Sequence, residues 1–171
     1  MQDLVPRVSV SSEGYHVVDY SMYTRKHQMR IFKNIGVLSK AGIAPKVISV
    51  SNGKVKFEKV ICYTEEGFPE GLDTTMKEIH EMYIAQVEKM HSLGYAHGDL
   101  GPFQLAFTQN KRLVFVGWTY SFSIDKDKNR EWLKEWREKW FCDMDAHDKF
   151  VENDFVLRND THIFGPDAAN F

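Results

Sequence analysis

The stretch from Thr75 to Ser92 constrains this chain most. Thr75-Met76-Lys77-Glu78 is a capping-box pattern, in which a Thr hydroxyl and a Glu carboxylate satisfy helix N-terminal donors reciprocally. Met76, Ile79, Tyr83, Val87 and Met90 then recur at helical spacing and form one long apolar face. Gly94 is suited to end the helix. A helix over 75–92 with one apolar face must bury it, so the other elements have to pack around it.

The segments before and after it predict what those elements are. Residues 8–20 read as strands around a turn at Glu13-Gly14. Residues 24–41 read as a helix, with Met29, Phe32, Ile35 and Leu38 at three-residue steps and Gly42 as its stop. Pro45 starts an extended segment through Val50, and Asn52-Gly53 is a strong hairpin turn. Residues 54–60 alternate as a strand. After the long helix, a loop over 95–104 leads into a hairpin of Leu105–Thr108 and Leu113–Trp118. Helices are expected over 128–141 and 145–157, and the tail after Asn159 reads as irregular. Strands gather early and helices late, which predicts an α+β fold with two unequal lobes.

At 171 residues, with 43% hydrophobic and 27% charged residues, the chain fits one soluble globular domain. A chain of this mass buries about 70% of its unfolded surface, enough for a core without staples. Neither a signal-peptide pattern nor an apolar run of membrane-spanning length is visible, so a cytoplasmic protein without a membrane anchor is expected. Cys62 and Cys142 lack CxxC partners and read as free thiols. His80 and His91 do not match zinc-ligand spacing, and no metal site is expected. The net charge of −2 hides an asymmetry: residues 24–60 hold nine Lys/Arg against Glu58 alone, whereas 61–171 hold 12 basic and 20 acidic residues. The overall pI near 6.4 disfavours a dedicated nucleic-acid binder.

The long helix runs into Met90-His91-Ser92-Leu93-Gly94-Tyr95-Ala96-His97-Gly98-Asp99-Leu100. With the helix before it and the hairpin after it, this block resembles the catalytic loop of the protein-kinase-like superfamily. The form is the HGD one of small atypical kinases and aminoglycoside-type phosphotransferases. The run from Leu38 through Pro45 to Phe57-Glu58-Lys59-Val60 resembles the helix–hairpin–hinge part of a small kinase lobe. The resemblance implies a single minimal kinase-like domain over 1–171, with a small β-rich N-lobe at 1–63 and a shortened helical C-lobe at 64–171.

Phosphoryl transfer on that fold uses a catalytic-loop Asp, an Asn five residues later, a second Asp for Mg²⁺, a strand Lys on the phosphates and a Gly-rich loop. Asp99 matches the first. Gln104 stands at the Asn position, one methylene longer, and Gly117 stands where the metal-binding Asp belongs. Asp19 or Ser21 stands near the place of the Lys; Lys26 is the candidate substitute at the helix start. Gly14 is the lone glycine before the first helix, and no Glu occurs between Thr24 and Ala41 for a Lys–Glu pair. Mg²⁺ needs hard oxygen ligands and glycine offers none. The resemblance therefore implies a pseudokinase in which Asp99 is kept as a hydrogen-bond hub and His97 packs beneath the loop. No cofactor is expected, and ATP with Mg²⁺ is disfavoured.

Trp132, Trp136 and Trp140 fall on one face of their expected helix, where they pack on the core or present an aromatic interface. Together with Arg25, Arg30 and Lys33 they are the candidate protein-binding residues. The expected function is an inactive kinase-like protein that binds a protein partner as regulator or decoy. A genuine kinase is the natural partner, and such a miniature suits a virus or phage. That step is analogy. The alternative is an unorthodox phosphotransferase using Asp99, Gln104 and a displaced carboxylate such as Asp125 or Asp127. A third reading has the basic 24–60 stretch meet nucleic acid.

Overall fold

Asn52 and Gly53 join strands β3 (Val47–Ser51) and β4 (Lys54–Phe57) with positive φ at both turn residues, 52° and 77°. This is the type I′ geometry whose twist matches that of paired strands. The computed structural model describes residues 5–124. Strands β1 (Arg7–Val10) and β2 (His16–Asp19) form the neighbouring hairpin, and the four make an antiparallel sheet ordered β1-β2-β4-β3. In register, Val8, Val18, Val55 and Val50 lie in one row across it. That apolar row has to be covered, and helix α1 (Arg25–Lys40) covers part of it.

Thr24 caps α1, accepting from the His27 amide at 3.4 Å. Ile31, Asn34, Ile35 and Leu38 are its buried residues, and Phe32 packs beside them. Met29, expected on this face, is instead 63% exposed. Three-residue steps drift around a helix of 3.6 residues per turn, so Met29 ends about opposite Leu38.

The strand expected over 54–60 breaks in two. Glu58 turns back on Lys46: its amide donates to the Lys46 carbonyl at 2.8 Å, and its carboxylate accepts from the Lys46 amide at 2.5 Å. The chain then leaves the first sheet, and β5 (Val60–Cys62) joins β7 (Leu105–Thr108) and β8 (Leu113–Phe115) in a second sheet ordered β5-β7-β8.

Helix α2 (Met76–Ser92) carries the expected capping box, with both reciprocal hydrogen bonds of Thr75 and Glu78 formed. Ile79, Tyr83, Val87 and Met90 are buried. Its Gln86 Nε2 donates to the Gly42 carbonyl at 2.9 Å and to the Leu113 carbonyl at 2.6 Å, tying the end of α1 to β8. Short strands β6 (Tyr95–Ala96) and β9 (Phe122–Ser123) pair beyond it. One hydrophobic cluster runs from Val18 and Tyr20 through α1 and α2 to Phe115 and Trp118. The fold is mixed α+β with a β-rich N-terminal part. The expected helices over 128–141 and 145–157 lie outside the described residues, as do Trp132, Trp136 and Trp140.

Candidate functional site

The loop that follows α2 is held from beneath by His97, which is fully buried. The Asp99 amide donates to His97 Nδ1 at 3.2 Å. Nδ1 therefore carries the lone pair, and Nε2–H donates to the Val116 carbonyl at 2.8 Å. The ring lies against Trp118, with centroids 4.6 Å apart. One neutral imidazole thus ties the 97–99 loop to the strand end at 116. Gly98 allows that close approach. Its φ is +86°, and a Cβ there would run into the Tyr120 carbonyl oxygen.

Gly117, at φ +76°, begins a 3-10 turn over Trp118–Tyr120. The Gln104 side chain lies against it: a Cβ at 117 would sit 3.2 Å from Gln104 Cγ. The Gln104 main chain is fixed too, because its carbonyl accepts from the Val116 amide at 2.8 Å. The two positions where the kinase resemblance would put metal ligands are therefore in contact, one side chain covering the glycine opposite.

A cleft of about 630 Å³ opens between the first sheet and this loop. Val5, Pro6, Val8 and Val18 line it from the sheet side, and Phe103 and Val116 from the other. Its polar groups are His16, Cys62, Asp99, Gln104, Thr119 and Tyr120, and no Lys or Arg is among the described lining residues. Burial holds the His16 imidazole below its ordinary value and pushes the Cys62 thiol up, so both are neutral at pH 7.

Asp99 and Gln104 therefore meet in one cleft, as the resemblance implies. Lys26 does not: it is exposed in the first turn of α1 and absent from the cleft wall. Strand β2 brings no lysine, and the β1–β2 connection over 11–15 has a single glycine, Gly14. Among the described residues no group of three His, Cys, Asp or Glu could hold a metal. The described residues do not fit Mg²⁺ with a nucleoside triphosphate, since neither a second carboxylate nor a phosphate-binding cation faces the cleft.

Of the candidate protein-binding residues, Arg25 and Lys33 are exposed on α1. Arg30 is turned inward. Its guanidinium donates to the Thr119 carbonyl at 3.0 Å and to the Ser121 carbonyl. Asn34, buried one turn later, donates to Ser121 Oγ at 3.2 Å. The helix that lacks a Glu for a Lys–Glu pair is thus fastened to the segment after Gly117 by its own cation. Sequence reasoning missed this role, because an arginine in a basic helix carries no sign of the carbonyls 89 and 91 residues away that it meets.

In comparison with known proteins, no curated protein matches the chain. A family model, the RIO domain, matches residues 7–136, about three-quarters of the 171. The matched span includes the first sheet, α1, α2, the 97–104 loop and the hairpin after it. The chain belongs to the RIO domain family, an atypical protein-kinase-like family, and carries its fold in a minimal α+β form.

Proposed function

We propose that this RIO-domain chain is a pseudokinase that works by binding a protein partner and transfers no phosphate. The contact of Gln104 with Gly117 carries the reading. A carboxylate is missing where a metal ligand is wanted, and a Cβ at that position would crowd Gln104 Cγ at 3.2 Å. Positioning and charge neutralisation are nearly the whole of phosphoryl-transfer catalysis, so this loss removes many powers of ten in rate. The lack of a Lys or Arg among the described residues lining the cleft and the engagement of Arg30 with backbone carbonyls point the same way. In this reading Asp99 and His97 are retained to hold the loop. The partner is a protein, a genuine kinase or an assembly containing one, met in the cytoplasm. No helix among the described residues is long and apolar enough to cross a membrane.

Calorimetry and thermal shift with ATP, ADP and GTP, each with Mg²⁺ and with EDTA, test this directly. The expected result is no metal-dependent binding at millimolar nucleotide. A specific observation favours one second reading: Asp99 faces the same cleft as Gln104. In that reading the chain is an unorthodox phosphotransferase with a non-standard metal site, completed by Asp125 or Asp127, which lie outside the described residues. It requires Mg²⁺-dependent nucleotide binding that is lost in Asp99→Asn.

A further inference from the structure

A second concavity, about 690 Å³, lies away from the cleft where the end of α1 crosses β3 and β4. Its floor is apolar: Phe32, Ile35, Val47, Val50 and Val55. Val50 is 51% exposed, although it continues the apolar row of the sheet. Three cations stand among the lining residues: Lys40 from the last turn of α1, Lys46 from the segment before β3, and Arg112 from the turn between β7 and β8. None of the three forms an ion pair among the described residues. The groove's own carboxylate, Glu58, is held by the Lys46 amide. The groove therefore carries an excess of positive charge over a hydrophobic floor in which Val50 is exposed and Phe32 and Val47 are half-buried.

We propose that this groove docks a short acidic segment of a partner protein through one large apolar side chain flanked by carboxylates. The apolar side chain would cover Val50 and Phe32, and the carboxylates would meet Lys40, Lys46 and Arg112. A basic partner is excluded by like charge, and a purely polar acidic one leaves the floor wet. Gly36 lines the same groove, and a Cβ there would meet nothing within 4 Å. The space above it is open to an occupant. The inference rests on the protein-binding reading and adds to it the surface and the chemistry of the partner.

The test is fluorescence anisotropy on the full chain with a labelled ten-residue peptide, a central phenylalanine flanked by glutamates. The expected result is saturable binding that weakens with added salt. It should fall at least about tenfold when the phenylalanine becomes alanine, and by a similar factor in Lys40→Glu with Arg112→Glu. Gly36→Phe fills the groove from a helical position with open space, and should block binding in a protein that melts normally. Gly36→Ala should bind as the parent does. Equal binding of a peptide with lysines in place of the glutamates, or unchanged binding in Gly36→Phe, would overturn the proposal. So would a rise in peptide affinity in Asp143→Lys with Asp145→Lys and Asp148→Lys, three acidic residues of this chain outside the described ones, which would give the groove to that segment. Absent peptide binding with absent phosphotransfer removes the groove and leaves the pseudokinase reading standing. Phosphotransfer removes that reading whatever the peptide does.

Discussion

The cleft and the groove are close in volume, about 630 and about 690 Å³, but they differ in charge. The cleft presents Asp99 and no cation among the described residues lining it. The groove presents Lys40, Lys46 and Arg112 over valines and Phe32. A phosphate-transferring protein of this fold needs positive charge in the cleft. Here the basic residues of the 24–60 stretch point elsewhere: Lys40 and Lys46 to the groove, Arg30 to the carbonyls of Thr119 and Ser121, and Lys26 to solvent. In the proposed reading, packing holds the fold together, while nothing in that packing requires the positive charge that phosphoryl transfer would need in the cleft.

The largest predicted effect tests whether the cleft's loop is there for structure. Gly98→Ala puts a Cβ into the Tyr120 carbonyl at φ +86°, and should cost about 3 kcal/mol in denaturant unfolding. A neutral result would mean that the loop yields easily and that its packing says little about retention. Arg30→Met comes next. It leaves two carbonyls without their charged donor, and a loss of about 2 kcal/mol is expected from the same measurement. Peptide binding at the groove should survive it, which separates the inward cation from the outward ones.

Restoring the metal ligand is the sharper attack on the cleft. Gly117→Asp must accept a left-handed backbone at φ +76° and displace Gln104 Cγ, at about 1 kcal/mol. Alone it should produce no Mg²⁺–nucleotide binding in calorimetry, because no Lys or Arg among the described residues lining the cleft joins it. Strong binding in that single variant would mean that the cleft is one residue from function.

The smallest effect is a pH dependence. His16 is 7% exposed, and burial holds its imidazole below its ordinary value. The unfolded chain therefore takes up a proton first as pH falls. Stability from this residue is complete above about pH 6.5 and declines below it. A thermal-shift series from pH 7.5 to 5 should show that decline, and His16→Leu should flatten it. An unchanged slope would place the titration elsewhere.

Local chemistry was readable in advance. The Asn52-Gly53 turn and the Thr75–Glu78 capping box each depend on neighbours in sequence, and both formed as expected. The HGD loop led to the kinase-like superfamily, and the RIO domain match places the chain there. What the sequence hid depends on residues far apart. Glu58 reads as one more position in an alternating strand until its carboxylate meets the Lys46 amide and breaks that strand. Met29 follows a three-residue step that a real helix does not keep. The groove needs Arg112 beside Lys40 and Lys46, an association of hairpin and helix that no periodicity signals. The absence of a metal carboxylate at 117 was visible as a glycine; that Gln104 lies over it was not.

Isothermal titration of ATP with Mg²⁺ into the full chain measures whether the cleft holds Mg²⁺–nucleotide. A pseudokinase gives no metal-dependent heat of binding at millimolar ATP, for the parent and for Asp99→Asn alike. Tight binding that requires Mg²⁺ and disappears in Asp99→Asn would contradict it.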